Sequence, residues 1–299
     1  MERYWLTPPM EMHSLRLPDG RAIEVATVGS PAKEALIFHH GTPGSWKTWE
    51  GFLKYVESQG AFAIAFSRAG YGESARHTGR TVIDNVKDVQ FLLNHFGVEK
   101  FVSIGWSGGG PHCLADTTLP ANKGAISIAG VAEFGSDDLD FLEGMGEENH
   151  VEFGAAIEGV EAIDAWMKKY SGDSATVTGP QIIEALGGLI GDADKKALNA
   201  EVAEAAAAGF RHALSVSYYG WMDDDLAFVK PWGFDIGSIT KPVELWQGDD
   251  DFMVPHAHGK WLAGRIPTAE LIFVPGEGHI SLGENKKPEI IASAARLLG

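Results

Sequence analysis

Short apolar runs and amphipathic helical patterns alternate along most of the chain. Residues 12–17 and 22–28 are strand-like and flank Pro18-Asp19-Gly20, a turn sequence, which predicts an antiparallel hairpin at a sheet edge. Further apolar runs between turn residues predict six more strands, at 35–38, 61–66, 101–106, 125–129, 242–247 and 270–274. The pattern therefore predicts a sheet of about eight strands.

Helical patterns fill the intervals between these runs. In residues 81–96, apolar side chains recur every three or four positions, and Gly97 follows as a stop signal. Similar patterns predict helices at 46–58, 256–265 and 288–298. Because strands that alternate with helices are typical of a mostly parallel sheet covered on both faces, the sequence predicts an α/β fold.

The alternation is interrupted after the strand at 125–129. Residues 131–235 have mainly helical patterns, in which apolar positions such as Phe153, Ile157 and Ile163 lie on one face. A long helical insertion in an otherwise regular alternation is a candidate lid. The sequence thus predicts a core domain of residues 1–130 and 236–299 and a helical cap (lid) of residues 131–235.

A serine stands where one predicted strand turns sharply into a helix. The fragment Gly105-Trp106-Ser107-Gly108-Gly109 fits the pattern G-x-S-x-G, a strained turn that exposes a serine hydroxyl at the sheet edge. The positions two before and two after the serine crowd each other in such a turn, which explains their glycines. A phosphate loop is excluded because Pro111 and His112 stand where Lys and Ser or Thr are needed.

These features resemble the α/β-hydrolase superfamily, in particular members with a helical cap. The resemblance covers nearly the whole chain in element order and rests on His40-Gly41-Thr42-Pro43-Gly44, the loop at 68–74, the serine turn, and the segments 247–255 and 275–279. The HGxPG form and the cap position are similar to proline iminopeptidases and to many small esterases. The resemblance implies an α/β-hydrolase fold and a serine hydrolase activity.

A serine hydroxyl needs a base, and the base needs an orienting acid. Candidates for both follow strands late in the chain, in the order Ser, Asp, His that this fold has. The histidine is His279, which stands in Pro275-Gly276-Glu277-Gly278-His279. Three consecutive aspartates, Asp249 to Asp251, are candidates for the acid. Similar hydrolases have the acid three residues after a glycine that corresponds to Gly248, and this position is Asp251. Glu133, after the sixth strand, is the fallback.

The resemblance also implies the groups that surround the triad of Ser107, Asp251 and His279. The backbone N–H groups of Thr42 and Gly108 are implied as an oxyanion hole. Four residues are expected to support this loop and the serine, namely His40, Gly41, Gly44 and Trp106. Four aromatic residues are candidates for the substrate pocket, namely Trp166, Trp221, Phe134 and Phe141.

Composition restricts partners and compartment. The net charge is −17, and residues 131–235 carry −15 of it, with 21 Asp and Glu against 6 Lys and Arg. Nucleic acids and anionic membranes are therefore not expected as partners. Cys113 is the only cysteine, and residues 1–12 lack the apolar run of a secretory signal, which predicts a cytoplasmic protein. His256 and His258 lack the accompanying ligands of a metal site, so neither metal nor cofactor is expected.

The sequence predicts a serine hydrolase that cleaves a small or medium carboxylic ester through an acyl-enzyme. An aminopeptidase of the proline-iminopeptidase type is the main alternative, because cap acids such as Glu147, Glu148 or Glu152 could hold a substrate ammonium group. Hydrolysis of a lactone, an amide or a carbon–carbon bond uses the same triad and stays open. A non-catalytic ligand sensor and cofactor-free peroxide chemistry are more remote alternatives. The oligomeric state cannot be read from the sequence.

Overall fold

An eight-stranded sheet forms the centre of the computed structural model, which describes residues 10–299. Its order is β1-β2-β4-β3-β5-β6-β7-β8. The strands are β1 (Glu11–Arg16), β2 (Ala22–Val28), β3 (Glu34–His39), β4 (Ala63–Phe66), β5 (Lys100–Trp106), β6 (Asn122–Ile128), β7 (Val243–Gly248) and β8 (Ala269–Val274). The predicted absence of a secretory signal concerns a stretch that lies largely outside the described residues.

The sheet is parallel except at one edge. Strand β2 pairs antiparallel with both β1 and β4, and every later pairing is parallel. The mostly parallel eight-stranded sheet and the edge hairpin are thus confirmed. The carboxyl ends of parallel strands all lie along the same side of the sheet, which we call its carboxyl edge. The loops after β3, β5, β7 and β8 therefore lie on the same side of the molecule.

Both faces of the sheet are buried, which explains the nearly continuous apolar runs of its central strands. Along β3, Leu36 and Phe38 pack into one hydrophobic cluster with α1 (Glu50–Ser58) and α11 (Ser281–Leu298). The alternate residues Ala35 and Ile37 pack into another cluster with α2 (Asn85–Phe96). The remaining core helices are α3 (Gly110–Ala115) and α10 (His256–Arg265).

Several predicted boundaries were wrong. The strand predicted at 61–66 begins only at Ala63, the strand predicted at 125–129 begins already at Asn122, and the last helix begins at Ser281 instead of residue 288. Pro288 stands inside this helix, although proline favours the first turn of a helix. A carboxylate from the insertion, Asp194, accepts hydrogen bonds from the first backbone N–H groups of the helix. This contact comes from 87 residues away in the sequence, so local helix-start rules could not reveal it.

Six α-helices lie between β6 and β7. They are α4 (Glu147–Glu158), α5 (Val160–Thr176), α6 (Gly179–Leu186), α7 (Asp192–Ala197), α8 (Ala200–Ala213) and α9 (Tyr219–Phe228). The insertion shares one hydrophobic cluster with the sheet, in which Phe141, Phe153 and Phe228 pack with Leu245 of β7. The division into a core and a cap therefore stays a prediction. No helix in residues 10–299 is sufficiently long and apolar to cross a membrane.

Candidate active site

Ser107 lies in a strained turn at the carboxyl end of β5. Its φ angle is 56°, in the left-handed region that non-glycine residues rarely adopt. A Cβ atom on Gly105 would lie 2.2 Å from the carbonyl oxygen of Gly109, and one on Gly109 would lie 2.1 Å from that of His39. Glycine is therefore required on both sides of the serine, and the turn leaves the Ser107 side chain partly exposed.

His279 and Asp251 form a hydrogen-bonded pair. The Nδ1 atom of His279 lies 2.8 Å from Oδ2 of Asp251. Because a carboxylate only accepts, Nδ1 carries the proton and Nε2 is left as an acceptor. The other oxygen of Asp251 accepts from the backbone N–H groups of Met253 at 3.0 Å and Val254 at 2.8 Å. The carboxylate is thereby fixed on two sides and orients the imidazole.

Charge raises the basicity of this imidazole. Burial lowers the pKa of His279, but the negative charge of Asp251, its hydrogen bond and the charge of Asp194 outweigh burial. The pKa of His279 is therefore raised above the ordinary value of 6.5. An imidazolium that forms at this position during a reaction is stabilised by two carboxylates.

Trp106 connects the serine turn to the histidine loop. Its indole N–H donates to the backbone carbonyl of His279 at 3.0 Å, and the two rings are 5.1 Å apart between centroids. Ser107 follows Trp106 directly, so serine and histidine lie at the same edge of the sheet. Within residues 10–299, no hydrogen bond of 3.5 Å or less joins Ser107 Oγ to His279, and such bonds are often long until substrate binds.

The other predicted acids and histidines have different partners. Asp249 and Asp250 accept hydrogen bonds from the backbone N–H groups of Gly276 and Ala193, respectively. Glu133 accepts from the backbone N–H of Trp232 at 3.0 Å instead of contacting the imidazole. His258 is used at both nitrogens, since Nδ1 accepts from the backbone of Ala132 and Nε2 donates to that of Phe141.

The loop that carries Thr42 is held by a buried ionic network. Asp224 of α9 is fully buried, and its carboxylate lies 2.6 Å from a guanidinium nitrogen of Arg68 and 2.6 Å from one of Arg80. The hydroxyl groups of Tyr71 and Thr42 donate to the same carboxylate at 2.8 and 2.7 Å. The two guanidinium groups keep the pKa of Asp224 well below its usual range despite burial.

Arg68 extends this network to the loop backbone. Its guanidinium group donates to the carbonyl oxygens of His40 and Gly41, the latter at 3.1 Å. The His40 ring in turn accepts from the backbone N–H of Arg68 at 3.0 Å. A Cβ atom on Gly44 would lie 2.8 Å from the Gly41 carbonyl, so only glycine fits there. No local sequence pattern assigns a role to Asp224, because its partners Arg68 and Arg80 lie far away along the chain.

A cavity of about 690 Å³ opens above the serine. The sheet side contributes Thr42, Ser107 and Gly108, and the insertion contributes Trp166 and Trp221. The insertion also contributes apolar wall residues, among them Phe153, Leu186, Phe210 and Phe228.

The two phenylalanines predicted for the pocket, Phe134 and Phe141, are not part of the cavity wall. Their rings pack edge to face at 5.4 Å in the hydrophobic cluster beneath it. Phe141 also contacts the rings of Phe153 and His258. An aromatic residue in the sequence predicts a buried side chain but does not distinguish the core from a cavity wall.

Two acids of the insertion face each other at the cavity. Glu152 and Asp225 are close enough to share a hydrogen bond when one of them is protonated, and Trp221 donates to Glu152 at 2.6 Å. Asp225 is fully buried, and as a carboxylate it has no hydrogen-bond donor among the described residues. Loss of water around the carboxyl raises the pKa of Glu152 to about 7, and burial with the facing Glu152 raises the pKa of Asp225 well above its usual range.

Asp225 was missed by the sequence analysis, although a signal was present. Asp223, Asp224 and Asp225 are consecutive in an otherwise apolar helix. Three consecutive residues point in different directions from a helix, so they cannot share one solvated face. Their partners differ accordingly, namely Arg76 for Asp223, two arginines for Asp224 and Glu152 for Asp225.

Comparisons with known proteins agree with this architecture. The chain is 29% identical over 93 residues to a bifunctional esterase/perhydrolase of Acinetobacter calcoaceticus, which covers 31% of this chain and 34% of that protein. It is 25% identical over 119 residues to a proline iminopeptidase of Xanthomonas citri, which covers 39% of this chain and 38% of that protein. Matches to the curated relatives span between 28% and 55% of the relatives' lengths.

The fold as a whole is shared with solved structures. An esterase from a Rhodococcus species has a TM-score of 0.68 at 21% identity, covering 97% of this chain and 100% of that chain. At this identity the likeness shows the fold alone. The sequence model of the alpha/beta hydrolase fold matches residues 34–286, which is most of the chain. The chain therefore belongs to the α/β-hydrolase fold family.

Proposed function

We propose that this chain is a serine hydrolase that cleaves a small or medium carboxylic ester. The main support is the 2.8 Å contact between His279 Nδ1 and Asp251 Oδ2. It lies at the same sheet edge as Ser107, which lines the cavity. A largely apolar wall above the serine suits the acyl or alcohol group of an ester better than a strongly polar substrate.

The proposed reaction has two half-reactions. Nε2 of His279 removes the proton of Ser107 Oγ as this oxygen attacks the acyl carbon, and the backbone N–H groups of Thr42 and Gly108 stabilise the resulting oxyanion. The imidazolium then protonates the leaving alcohol, which leaves an acyl group on Ser107. Water attacks the acyl-enzyme with the same proton transfers and releases the carboxylic acid.

The proposal is tested by active-site labelling and substrate profiling. A fluorophosphonate probe should label the protein at Ser107, as read by mass spectrometry of the labelled peptide. A series of p-nitrophenyl esters should be hydrolysed with a preference for short to medium acyl chains, which the cavity volume of about 690 Å³ accommodates. Absence of both labelling and ester turnover in folded protein would contradict the proposal and favour a ligand sensor.

The pH dependence of ester turnover provides a second test. Only the neutral imidazole accepts the serine proton, so kcat/KM should rise with pH as His279 loses its proton. Because the pKa of His279 is raised, the midpoint of this rise should lie above 6.5. The change Asp251→Asn removes the main stabilising charge and should lower both the midpoint and the rate. A midpoint below 6.5 in the wild type would contradict the assignment of His279 as the base.

One observation favours a second candidate, an aminopeptidase that acts on substrates with a free amino group. Asp225 is buried at the wall of the catalytic cavity with Glu152 facing it, and in its ionised form it has no hydrogen-bond donor within residues 10–299. Two facing carboxylates are unfavourable unless a proton or a cation lies between them. A substrate ammonium group would supply such a charge, and proline iminopeptidases are among the relatives of the chain.

The two candidates are separated by comparing a neutral p-nitrophenyl ester with prolyl naphthylamide. If the acid pair binds an ammonium group, Glu152→Gln should raise KM for the prolyl substrate by about tenfold or more and leave neutral ester turnover unchanged. The KM for the prolyl substrate should fall as pH rises through about 7, because Glu152 then loses its proton and the acid pair can bind the substrate ammonium group instead.

The control variant for this test is Glu184→Gln. Glu184 also lines the cavity but is exposed, so its carboxylate can keep its water. Glu184→Gln should leave KM and turnover unchanged for both substrates. Equal effects of Glu152→Gln and Glu184→Gln, or no prolyl turnover at any pH, would exclude the aminopeptidase and leave the esterase.

A further inference from the structure

A short segment of the insertion contacts both loops of the His–Asp pair. Ile190 forms an antiparallel bridge with Asp251 itself, and the backbone N–H of Ala193 donates to the side chain of Asp250 at 2.7 Å. A Cβ atom on Gly191 would lie 2.3 Å from the Asp250 carboxylate, so the backbone of the insertion approaches this loop very closely. The insertion is therefore attached to the catalytic loops and does not only cover them.

Asp194, in the same segment, binds the histidine loop. Its side chain is fully buried, and it accepts hydrogen bonds from three consecutive backbone N–H groups, those of His279 at 3.0 Å, Ile280 at 2.9 Å and Ser281 at 2.8 Å. These groups open helix α11, where a negative charge is favoured by the helix dipole. A single carboxylate thus fixes the backbone on which the catalytic imidazole is carried.

We propose that Asp194 is a positioning residue for His279. The proposal rests on the proposed hydrolase function, and Asp194 acts in two ways. The three hydrogen bonds hold the His279 backbone in the orientation that allows the ring to reach Asp251 and Ser107. The negative charge, together with that of Asp251, stabilises the imidazolium that forms when Ser107 attacks.

Gly278 supports this assignment. A Cβ atom at residue 278 would lie 2.5 Å from Oδ1 of Asp194, closer than side-chain atoms pack. The backbone N–H of Gly278 is also bound, since it donates to Ser281 Oγ at 2.7 Å. The glycine before the histidine is thus explained by the close approach of Asp194, and the sequence motif alone did not reveal this contact.

Two variants and one control test the proposal. Asp194→Asn keeps the shape and one oxygen acceptor but removes the charge, whereas Asp194→Ala removes all three hydrogen bonds. Asp192→Asn is the control, because Asp192 lies on the same helix but is exposed. Circular dichroism and thermal unfolding establish that each variant is folded, and Asp194→Asn keeps the test available if Asp194→Ala does not fold.

The first readout is ester kinetics. Asp194→Ala should lower kcat by about 10- to 100-fold, because displacing a catalytic group by about 1 Å reduces the rate by up to about that factor. KM should stay within about threefold, because Asp194 does not line the cavity above Ser107. The control should match the wild type in both constants.

The second readout is the pKa of His279, measured by NMR titration of histidine-labelled protein and assigned with His279→Gln. Asp194→Asn should lower this pKa and shift the acid limb of the kcat/KM profile to lower pH, because a stabilising negative charge is lost. Wild-type kcat with an unchanged His279 pKa in both variants would overturn the proposal, even if both unfold at lower temperature. Because the NMR titration needs no turnover, it tests Asp194 separately from the proposed hydrolase activity.

Discussion

Replacing Ser107 by alanine is expected to abolish the acylation burst and to lower ester turnover by at least ~10⁴-fold. The loss is large because the Ser107 oxygen is the nucleophile that attacks the acyl carbon. Without it, a water molecule has to attack the ester directly, and no covalent acyl-enzyme divides the reaction into two easier steps. The strained backbone at residue 107, with φ at 56°, should be retained because the flanking glycines are unchanged. Stopped-flow measurement of p-nitrophenol release with wild type and variant gives both the burst and the steady-state rate.

Ser174→Ala is the matched control for this experiment. Ser174 also lines the cavity, but it belongs to α5 and lies away from the strained turn. The control should keep the burst and the fluorophosphonate labelling of the wild type. Near-normal ester turnover in Ser107→Ala would show that another group is the nucleophile.

Replacing Asp224 by alanine is expected to cause the largest loss of stability, about 3–5 kcal/mol in the free energy of unfolding. The change leaves the guanidinium groups of Arg68 and Arg80 buried without their shared carboxylate, since their side chains are only 1% and 3% exposed. It also removes the acceptor of Thr42 Oγ1, so the loop that carries the proposed oxyanion hole should become less fixed. Urea unfolding followed by fluorescence measures the loss, and kcat of the folded fraction measures the effect on the loop.

The neighbouring change Asp223→Ala is the control. Asp223 also binds an arginine through two hydrogen bonds, but the side chain of that partner, Arg76, is 28% exposed and can turn to water. Its loss of stability should be clearly smaller. Similar losses of stability for the two variants would mean that the burial of Arg68 and Arg80 does not increase the effect of removing their carboxylate. A loss below about 1 kcal/mol for Asp224→Ala would contradict its proposed structural role.

The two tryptophans and two phenylalanines predicted for the pocket show where sequence reasoning ends. Trp166 and Trp221 line the cavity, whereas Phe134 and Phe141 pack beneath it. All four belong to the insertion, where Trp166 and Trp221 lie in helices and Phe134 and Phe141 precede the first helix, and apolar character reports only that a side chain points inward. Whether the inward side meets a cavity or another side chain depends on how six helices pack together.

The sequence by itself determined the sheet, the strained serine turn and the order of the loops at its edge. These features follow from local causes, namely alternating apolar runs, glycines required by close backbone contacts, and turn residues at strand ends. Only the tertiary structure revealed the buried acids that support the site. Asp194, Asp224 and Asp225 reach their partners across distances of 70 residues or more along the chain. Such contacts leave no periodic trace, because an acid in a helix has the same local pattern whether it faces water, an arginine, or the backbone of a catalytic histidine.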